Sequence, residues 1–484
     1  MESQSNHLRR LAEQYGQGHL FRFWDDLSAD QRVELLDVVG QIDFALMDRL
    51  VDTWVRNEPA PEHFEHIEPV DVIPPVGPDT DRAVLEAGEQ ALREGRVATF
   101  VVAGGQGTRL GFDKPKGAYP IGPITGKSLF RYHAEKIRGI QQRYETVLPW
   151  YVMVSHANEQ QTRDFFREEA WFGLEPENIL FVRQAMLPCV DEAGNFLLQK
   201  PWQPAMSPNG HGGSIQALME GGAIADAEAR GITVICYFQV DNWAAKVADP
   251  WFIGYHCQAN AAMSSKCHRR NDPREAVGVH CLCDGAYRVI EYSELDLYPQ
   301  LLETDENGAP RFFAGNPAIH ILSTAFVSHV HKHFDRFPWH KAHKKIPHLD
   351  ADGAFVTPDK PNGYKFETFV FDALRFVPHP PVALEIPRRG EYTPTKQYDG
   401  VNSVVATRNN MAEYWAKWLE AAGCKVPRSA SGACTVPIEI SPAFALDADE
   451  FASKIDGGEL DLARGIAIDA DGTIALPASK EAKG

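Results

Sequence analysis

A glycine-rich loop carrying three cations follows a strand-like run in Val101-Val-Ala-Gly-Gly-Gln-Gly-Thr-Arg-Leu-Gly-Phe-Asp-Lys-Pro-Lys-Gly117. The β-branched and aromatic residues from Thr99 to Val102 favour a strand, and the cations are Arg109, Lys114 and Lys116. Glycine lets backbone N–H groups approach a phosphate closely, and cations within the loop neutralise the phosphate charge. The stretch therefore predicts a strand that leads into a polyphosphate-binding loop.

Two common kinds of phosphate loop are excluded by their spacing. A dinucleotide-binding fingerprint needs a third glycine before its helix, but Leu110 stands at that position and Pro115 blocks an extended helix. A Walker loop needs four residues between its glycines, and Gly122-Pro-Ile-Thr-Gly126-Lys-Ser128 has three. The spacing alone therefore indicates a phosphate-binding loop of another type. The alternative is a tight turn that needs glycine only for steric reasons.

Length and charge limit the organisation of the chain and its partners. With 484 residues and 44% hydrophobic content, the chain has room for two or three domains. Its net charge of −18 argues against general nucleic-acid binding, which needs a basic footprint. An anionic substrate then requires a local basic pocket. The candidates are Arg109, Lys116 and Lys396, each of which could instead be a solvated surface charge.

Targeting signals are not apparent in the sequence. No apolar run approaches the length of a membrane span, and the first ten residues lack the apolar core of a signal peptide. We therefore expect a cytoplasmic protein without a membrane partner. The eight cysteines do not form a disulfide pattern. The Cys/His cluster between His256 and Cys283 has irregular spacing, so we expect reduced structural thiols there, with zinc as the alternative.

The two ends of the chain predict smaller domains. Ser28-Ala-Asp-Gln31 is a capping-box pattern, and prolines from residue 59 onward indicate a linker, so we expect an N-terminal helical domain and linker over 1–80. Beyond residue 397, Met411–Ala421 predicts an amphipathic helix, followed by short strand-like runs. We expect a small C-terminal domain over 398–484, ending in a frayed polar tail over 478–484.

The central region, 81–397, alternates between strand and helix patterns. The predicted strands cover 98–103, 150–155, 179–183 and 233–240. The predicted helices cover 82–94, 127–142, 159–168 and 214–229. This alternation predicts an α/β fold with a mainly parallel, Rossmann-like sheet and helices on both faces. Asp284-Gly285 predicts a hairpin in a β-rich insertion. The glycine loop and Asp241 both follow strand carboxyl ends, where such sheets bind ligands.

The loop resembles the nucleotide-binding signature of the eukaryotic-type UDP-sugar pyrophosphorylases, nearest to the UDP-N-acetylglucosamine pyrophosphorylase branch. The resemblance continues, in family order, through Gln184–Pro188, Asn209–Gly213, Val240–Asn242, Lys246–Tyr255, Val289–Glu294, Gly315-Asn316, Lys344–Pro347, Pro358–Gly363, Phe369–Asp372 and Glu391–Lys396. It implies a nucleotidyltransferase fold and a reaction of UTP with a sugar 1-phosphate. It implies nothing about the oligomeric state, because the tail beyond residue 400 matches poorly.

For that reaction, residue types suggest the roles at the phosphates. The backbone of Gly104, Gly105, Gln106 and Gly107 would cradle them, Arg109 would neutralise the leaving diphosphate and Lys116 the α-phosphate. Asp241 would hold Mg²⁺, which prefers hard oxygen ligands; its alternative is a strand-ending Asx turn. The resemblance implies Asp241 as the metal ligand and Lys396 as a second phosphate-contacting lysine.

The resemblance also implies the residues that select uracil and sugar. Gln184 and Gly210 would contact the uracil, and Gly278, Glu291 and Asn316 the hexose hydroxyls. The alternative for Glu291 is an exposed strand carboxylate. Phe369 and Phe371 resemble the aromatic wall near an N-acyl group, with core packing in a strand as their alternative.

One position departs from the N-acetylglucosamine branch, where the residue after Gly210 is usually Asn. Here it is His211, as in the UDP-glucose branch, and we expect it to bind the nucleotide together with Gln184 and Gly210. We expect a UTP:N-acetylglucosamine-1-phosphate uridylyltransferase. A glucose-1-phosphate or broad-specificity enzyme is the first alternative, and a non-catalytic sugar-nucleotide sensor is the second.

Overall fold

The computed structural model of the protein describes residues 2–57, 59–455 and 460–477. Within them the α-helices are α1 (Glu2–Gln14), α2 (Ala29–Gly40), α3 (Phe44–Val51), α4 (Arg82–Arg93), α5 (Leu129–Tyr144), α6 (Glu159–Glu168), α7 (Ser214–Glu220), α8 (Ala223–Ala229), α9 (Pro250–Gln258), α10 (Thr324–Lys332), α11 (Arg388–Glu391), α12 (Val404–Ala421) and α13 (Ala448–Lys454).

The strands of these described residues are β1 (Ile67–Pro69), β2 (Val97–Val102), β3 (Trp150–Val154), β4 (Ile179–Arg183), β5 (Met186–Pro188), β6 (Val190–Asp191), β7 (Leu198–Lys200), β8 (Gln203–Pro204), β9 (Met206–Pro208), β10 (Val234–Gln239), β11 (Met263–Arg269), β12 (Val279–Cys283), β13 (Ala286–Ile290), β14 (Ala314–Gly315), β15 (His320–Ser323), β16 (His340–Lys344), β17 (His348–Leu349), β18 (Phe355–Val356), β19 (Gly363–Glu367), β20 (Val382–Glu385), β21 (Ile438–Ile440), β22 (Ile466–Ile468) and β23 (Ile474–Ala475).

The chain forms two compact units. Unit 1 comprises Met1–His63, Gln184–Ser214 and Phe334–Ala373, and unit 2 comprises the remaining segments, Phe64–Arg183, Ile215–His333 and Leu374–Gly484. These units follow different boundaries from the three domains expected over 1–80, 81–397 and 398–484, which stay a prediction.

Unit 2 is built on a large central sheet. Among the described residues it has 11 strands, in the order β1-β12-β14-β11-β15-β10-β2-β3-β4, with β13 beside β12 and β20 beside β11. The pairs β10–β2, β2–β3 and β3–β4 are parallel. The predicted α/β class and its Rossmann-like parallel strands are confirmed.

Strand order places the predicted ligand loops side by side. Among the four strands of these parallel pairs, β2 is the first along the chain. It lies between β3, the next of the four, and β10, the last of the four. Sheets of this kind bind ligands where the strand order reverses, beyond the carboxyl ends of the two central strands. In this sheet that position lies beyond Val102 of β2 and Gln239 of β10, which are paired in register.

Burial explains why the parallel strands read as continuous apolar runs. Phe100, Val101, Val152 and Phe238 are all at most 1% exposed. A strand covered on both faces has no polar side, and each such side chain contributes about 1.5–3 kcal/mol when it leaves water. The most buried part of the core therefore lies directly beneath the loops that follow β2 and β10.

The β-rich insertion lies in the antiparallel part of the same sheet. Strands β12 and β13 pair with Cys283 opposite Ala286. Asp284 and Gly285 have φ of 49° and 78°, the left-handed conformation that a type I′ turn requires at both central positions. The hairpin predicted from Asp284-Gly285 is confirmed.

Unit 1 contains the N-terminal helices and small antiparallel sheets. The core of this unit includes Leu35, Met47 and Phe196. At the start of α2, Ser28 accepts a hydrogen bond from Gln31 N, and the Gln31 side chain accepts one from Ser28 N. The predicted capping box is confirmed.

The C-terminal part of unit 2 packs around α12. This helix is longer than predicted, and Trp415 and Leu419 lie in one apolar cluster with Ile438 and Ile468 of the short sheet β21-β22-β23. The tail expected over 478–484 lies outside the described residues. None of the helices in the described part of the chain is long and apolar enough to cross a bilayer.

Two local predictions were wrong. The helix expected over 214–229 is divided into α7 and α8, because Gly222 adopts φ 81° between them. Asn158-Glu-Gln-Gln161 also matches a capping-box pattern and predicts a cap at the start of α6, but the box does not form because Asn158 makes no side-chain cap. Instead its Oδ1 accepts from Ser155 N at 2.8 Å and its Nδ2 donates to Ala103 O at 2.9 Å. Asn158 thus braces the end of β2.

Candidate active site

The glycine loop after β2 closes on itself through backbone hydrogen bonds. Gly107 N donates to Lys114 O at 3.0 Å, and Lys116 N donates to Gly105 O at 3.1 Å. A Cβ at Gly107 would lie 2.7 Å from Phe112 O, so this position has no room for a side chain. The loop is therefore a compact arc that returns Lys116 to the sheet edge. This geometry is compatible both with a phosphate-binding loop and with a tight turn that needs glycine for steric reasons.

Lys116 and Asp241 meet at the switch point of the sheet. Lys116 Nζ lies 3.2 Å from Asp241 Oδ2, and both side chains are more than four-fifths buried, with 18% and 16% exposure. Asp241 follows β10, and its carbonyl oxygen accepts a hydrogen bond from Thr395 N at 2.8 Å. The structure thus joins the predicted cation to the predicted metal ligand.

Arg109 and Lys396 are the two other cations predicted to bind phosphate. Both side chains are exposed, and neither forms an ion pair within the described part of the chain. Lys396 N donates to Asn402 O at 2.8 Å, which fixes its backbone next to Thr395. Exposed cations without a carboxylate partner remain available to an anionic substrate.

Asn242, to which the sequence analysis gave no role, ties two segments of the site together. Its Nδ2 donates to Glu391 O at 2.8 Å, and its Oδ1 accepts from Thr393 N at 2.9 Å. The side chain is only 1% exposed. The signal in the sequence was an amide directly after Asp241, which could satisfy backbone groups of a second strand-like segment.

A buried ion cluster holds the same segment from the other side. Lys266 is fully buried; its Nζ lies 2.6 Å from Asp249 Oδ2 and also contacts Glu391. Lys246 Nζ lies 3.3 Å from Glu391 Oε1. Burial alone would raise the pKa of Asp249, but Lys266 and Lys246 lower it to about 2. The sequence signal that was missed is a lysine at the centre of β11, between Ser265 and Cys267.

The predicted sugar residues of unit 2 converge at the base of the β12–β13 hairpin. Asn316 N donates to Gly278 O at 2.8 Å, and a Cβ on Gly278 would lie 3.4 Å from Glu291 Oε1. Glu291 caps the short helix Tyr292–Leu297 and is half-buried. It is therefore neither exposed nor part of a strand, and the alternative reading for it was wrong.

The predicted uracil and N-acyl residues all belong to unit 1. Gln184 Nε2 donates to Gly210 O at 2.6 Å. Gly210 has φ 80°, and a Cβ there would lie 2.3 Å from Thr368 O. His211 Nδ1 accepts a hydrogen bond from Val370 N at 3.1 Å, so the neutral ring carries its proton on Nε2.

Two phenylalanines pack against this histidine. The ring centroids of Phe369 and Phe371 lie 5.3 and 5.6 Å from that of His211. Phe371 is buried and Phe369 half-buried, and both lie outside the strands. Unit 1 therefore brings its five predicted residues together, whereas the alternative of alternating strand positions for the phenylalanines was wrong.

The donor set at Asp241 fits magnesium. Within the described residues no group of three or more His, Cys, Asp or Glu side chains could hold a metal ion. Mg²⁺ keeps several waters and usually binds one or two carboxylates together with substrate phosphates. A single carboxylate beside the predicted phosphate loop fits this pattern, and Asp241 has that position. The cysteines at 257, 267, 281 and 283 are free thiols.

Comparison with known proteins agrees with this geometry. A family model described as UTP–glucose-1-phosphate uridylyltransferase matches residues 65–421. The UDP-N-acetylhexosamine pyrophosphorylase-like protein 1 of Xenopus tropicalis is 37% identical over 440 residues, 86% of this chain and 84% of that protein. The UDP-N-acetylglucosamine pyrophosphorylase of Saccharomyces cerevisiae is 33% identical over 447 residues, 86% of this chain and 92% of the yeast protein.

A solved structure is similar over nearly the whole length. The uridine diphosphate N-acetylglucosamine pyrophosphorylase of Trypanosoma brucei, crystallised with an inhibitor, superposes with a TM-score of 0.78 at 27% identity. The match covers 94% of this chain and 95% of that one. The chain therefore belongs to the UTP–glucose-1-phosphate uridylyltransferase family of nucleotidyltransferases.

Proposed function

We propose that the chain transfers a uridylyl group from UTP to N-acetylglucosamine 1-phosphate, giving UDP-N-acetylglucosamine and diphosphate. The observation that carries this proposal is the contact between Lys116 Nζ and Asp241 Oδ2, 3.2 Å apart beside the glycine loop. Relatives that match most of the chain are named for UDP-N-acetylhexosamine or UDP-N-acetylglucosamine, which supports the choice of sugar.

The reaction is a direct displacement. A phosphate oxygen of the sugar 1-phosphate forms a bond to the α-phosphorus of UTP, and the bond from that phosphorus to the bridging oxygen of the β-phosphate breaks, releasing diphosphate. The attacking oxygen is already anionic, so no side-chain nucleophile is needed. The main barrier is the approach of two polyanions, and catalysis consists of positioning and charge stabilisation.

Each cation near the loop has a distinct part in this scheme. The backbone N–H groups of 104–107 would bind the UTP phosphates, Lys116 would stabilise charge on the α-phosphate, and Arg109 would neutralise the departing diphosphate. Lys396 would bind phosphate from the segment that is hydrogen-bonded to Asp241. Asp241 would hold Mg²⁺, which supplies charge neutralisation between phosphates when bound.

The remaining residues would select the substrate. Gln184 and Gly210 would bind uracil, since a side-chain amide and a backbone group can pair with its polar edge. Glu291 and Asn316 would bind hexose hydroxyls beside Gly278, and Phe369 with Phe371 would face the N-acyl group. The cytoplasmic location expected from the sequence remains a prediction.

One observation favours a second substrate, glucose 1-phosphate. His211 replaces the asparagine usual in the N-acetylglucosamine branch. Its ring packs against Phe369 and Phe371 and is oriented by the hydrogen bond from Val370 N. A bulky, oriented ring at this position could restrict the space for an N-acyl group. A broad-specificity enzyme would also be compatible with it.

Diphosphate release from UTP and Mg²⁺ tests the proposal with a panel of 1-phosphates of N-acetylglucosamine, N-acetylgalactosamine, glucose and galactose. The proposal requires the highest kcat/KM with N-acetylglucosamine 1-phosphate. Preference for glucose 1-phosphate would establish the alternative, and His211→Asn would then be expected to shift the preference towards the N-acetyl sugar. UTP binding without diphosphate release from any sugar would instead favour the sensor.

A further inference from the structure

Tyr392 lies against the floor of the predicted sugar site. Its ring stacks on that of His268, with centroids 4.7 Å apart and planes at 19°. His268 is fully buried and pairs with Gly315 across β11 and β14, and a Cβ on Gly315 would lie 3.0 Å from His268 Cε1. Gly315 precedes Asn316, so His268 links the tyrosine ring to the strand that leads into one of the predicted sugar residues.

The other neighbour of Tyr392 is the metal-binding turn. The next residue, Thr393, donates its N–H to Asn242 Oδ1, and Thr395 N donates to the carbonyl of Asp241. These bonds hold the backbone on the C-terminal side of Tyr392 beside Asp241. Tyr392 therefore stands between the residue expected to bind Mg²⁺ and the residues expected to bind the hexose.

The phenol of Tyr392 is suited to donating a hydrogen bond. Burial raises its pKa, and the carboxylates of Asp241, Glu275 and Glu291 raise it further against the opposing effect of Arg388. The group therefore keeps its proton at neutral pH. Within residues 2–57, 59–455 and 460–477 the hydroxyl has no hydrogen-bond partner, although the side chain is only half-buried.

We propose that the Tyr392 hydroxyl binds the substrate directly, by donating a hydrogen bond to the phosphate of the sugar 1-phosphate. This inference rests on the proposed function. In that reaction the sugar phosphate must lie between the metal at Asp241 and the hexose at Glu291, and Tyr392 is flanked by both. Stacking on His268 orients the ring, and a phenylalanine would stack equally well, so the hydroxyl is not needed for packing.

Tyr392→Phe tests the proposal because it removes the donor and keeps the ring. Loss of a hydrogen bond to a charged group should raise the KM for the sugar 1-phosphate by about tenfold or more, with the KM for UTP unchanged. The factor should be the same for every sugar 1-phosphate that the wild type accepts, because all share the phosphate. Tyr392→His retains a ring and an N–H donor, so its KM for the sugar 1-phosphate should rise less than that of Tyr392→Phe.

Tyr151→Phe is the matched control. Its hydroxyl donates to Asp226 Oδ2 at 2.8 Å within the same unit, so the variant loses a hydroxyl without touching the site, and its KM for the sugar 1-phosphate should not change. Thermal melting and circular dichroism of the variants establish that they are folded.

The outcomes separate the inference from the proposed function. An unchanged KM for the sugar 1-phosphate in Tyr392→Phe would overturn the assignment of Tyr392 and leave the uridylyltransferase proposal intact. A rise in KM that differs strongly between sugars would also overturn this assignment, because the contact would then be to the hexose. Absence of diphosphate release by the wild type with every sugar would overturn both.

Discussion

The side chain of Asn242 accepts a hydrogen bond from the backbone N–H of Thr393 at 2.9 Å, and it donates another, at 2.8 Å, to the carbonyl of Glu391. Both partners flank Tyr392. A single buried amide therefore fixes the distance between the turn that carries Asp241 and the segment that carries Tyr392 and Lys396. Substrate groups bound to the two segments depend on that distance.

Asn242→Ala should therefore impair activity and stability together. It leaves Thr393 N and Glu391 O without their partner, and an unsatisfied buried group costs about 1–3 kcal/mol. We expect a lower free energy of unfolding in urea and a fall in kcat that exceeds any change in the KM for UTP. Asn242→Asp keeps the acceptor for Thr393 and loses the donor. Its free energy of unfolding and its kcat should therefore lie between those of Asn242→Ala and the wild type. Wild-type kcat in the alanine variant would contradict the positioning role.

Lys116→Ala should abolish most of the catalytic rate. Removing a group that stabilises developing charge costs about 10²–10³ in kcat, and the partly buried Lys116 is the cation in contact with Asp241. Lys114→Ala is the matched control, since Lys114 is an exposed lysine of the same loop whose backbone carbonyl holds Gly107. Equal kcat losses in the two variants would show that loop charge, rather than the position of Lys116, matters.

Lys266→Met should destabilise the fold strongly. The substitution leaves the carboxylates of Asp249 and Glu391 buried without their shared cation, and breaking a buried pair costs about 3–5 kcal/mol. Arg269→Met, on the same strand, removes an exposed partner of Glu385 and should cost at most about 1 kcal/mol. Urea unfolding of both variants measures the difference. Similar losses of unfolding free energy in the two variants would mean that Lys266 is not stabilised by its buried partners.

Acid should destabilise the protein through His133. Burial, and to a smaller extent the charge of Lys136, lower the pKa of this side chain to about 3 against the opposing hydrogen bond from its Nε2 to Val240 O. In the unfolded chain a histidine titrates near pH ~6.5. Between these values the unfolded chain binds a proton that the folded chain does not, so the free energy of unfolding falls as pH falls from about 6.5.

His133→Gln measures that contribution, because glutamine can still donate to Val240 O and does not titrate. The free energy of unfolding should depend less on pH between 7 and 5, by up to about 1.4 kcal/mol per pH unit. His379→Gln, at an exposed position, controls for the substitution itself. An unaltered slope in His133→Gln would show that other groups cause the acid sensitivity.

The sequence predicted best those features whose signal is local. The strands β2, β3, β4 and β10 are apolar runs buried on both faces, and each begins and ends within one residue of its predicted bounds. Asp284-Gly285 required a left-handed turn and forms one. The glycine loop and Asp241 were both expected to follow strand carboxyl ends, and because their strands are adjacent, Lys116 contacts Asp241.

Long-range packing accounts for most of what was missed. The role of Lys266 depends on carboxylates at 249 and 391 that no local pattern connects to it. Asn158 matched a cap, but the buried backbone at the end of β2 offered it better partners. No role was predicted for Tyr392, since its stacking on His268 requires two segments far apart in the chain to be neighbours.

The hydrogen bond from Asn242 to Glu391 joins residues 149 positions apart, and the Lys116–Asp241 contact spans 125 positions. Contacts between such distant positions require large loops to close, which makes them slow to form. During synthesis, the glycine loop and β10 emerge long before the segment that completes the phosphate site. In refolding, recovery of turnover should therefore lag behind the return of helical circular dichroism, so enzymatic activity becomes a reporter of the final stage of assembly.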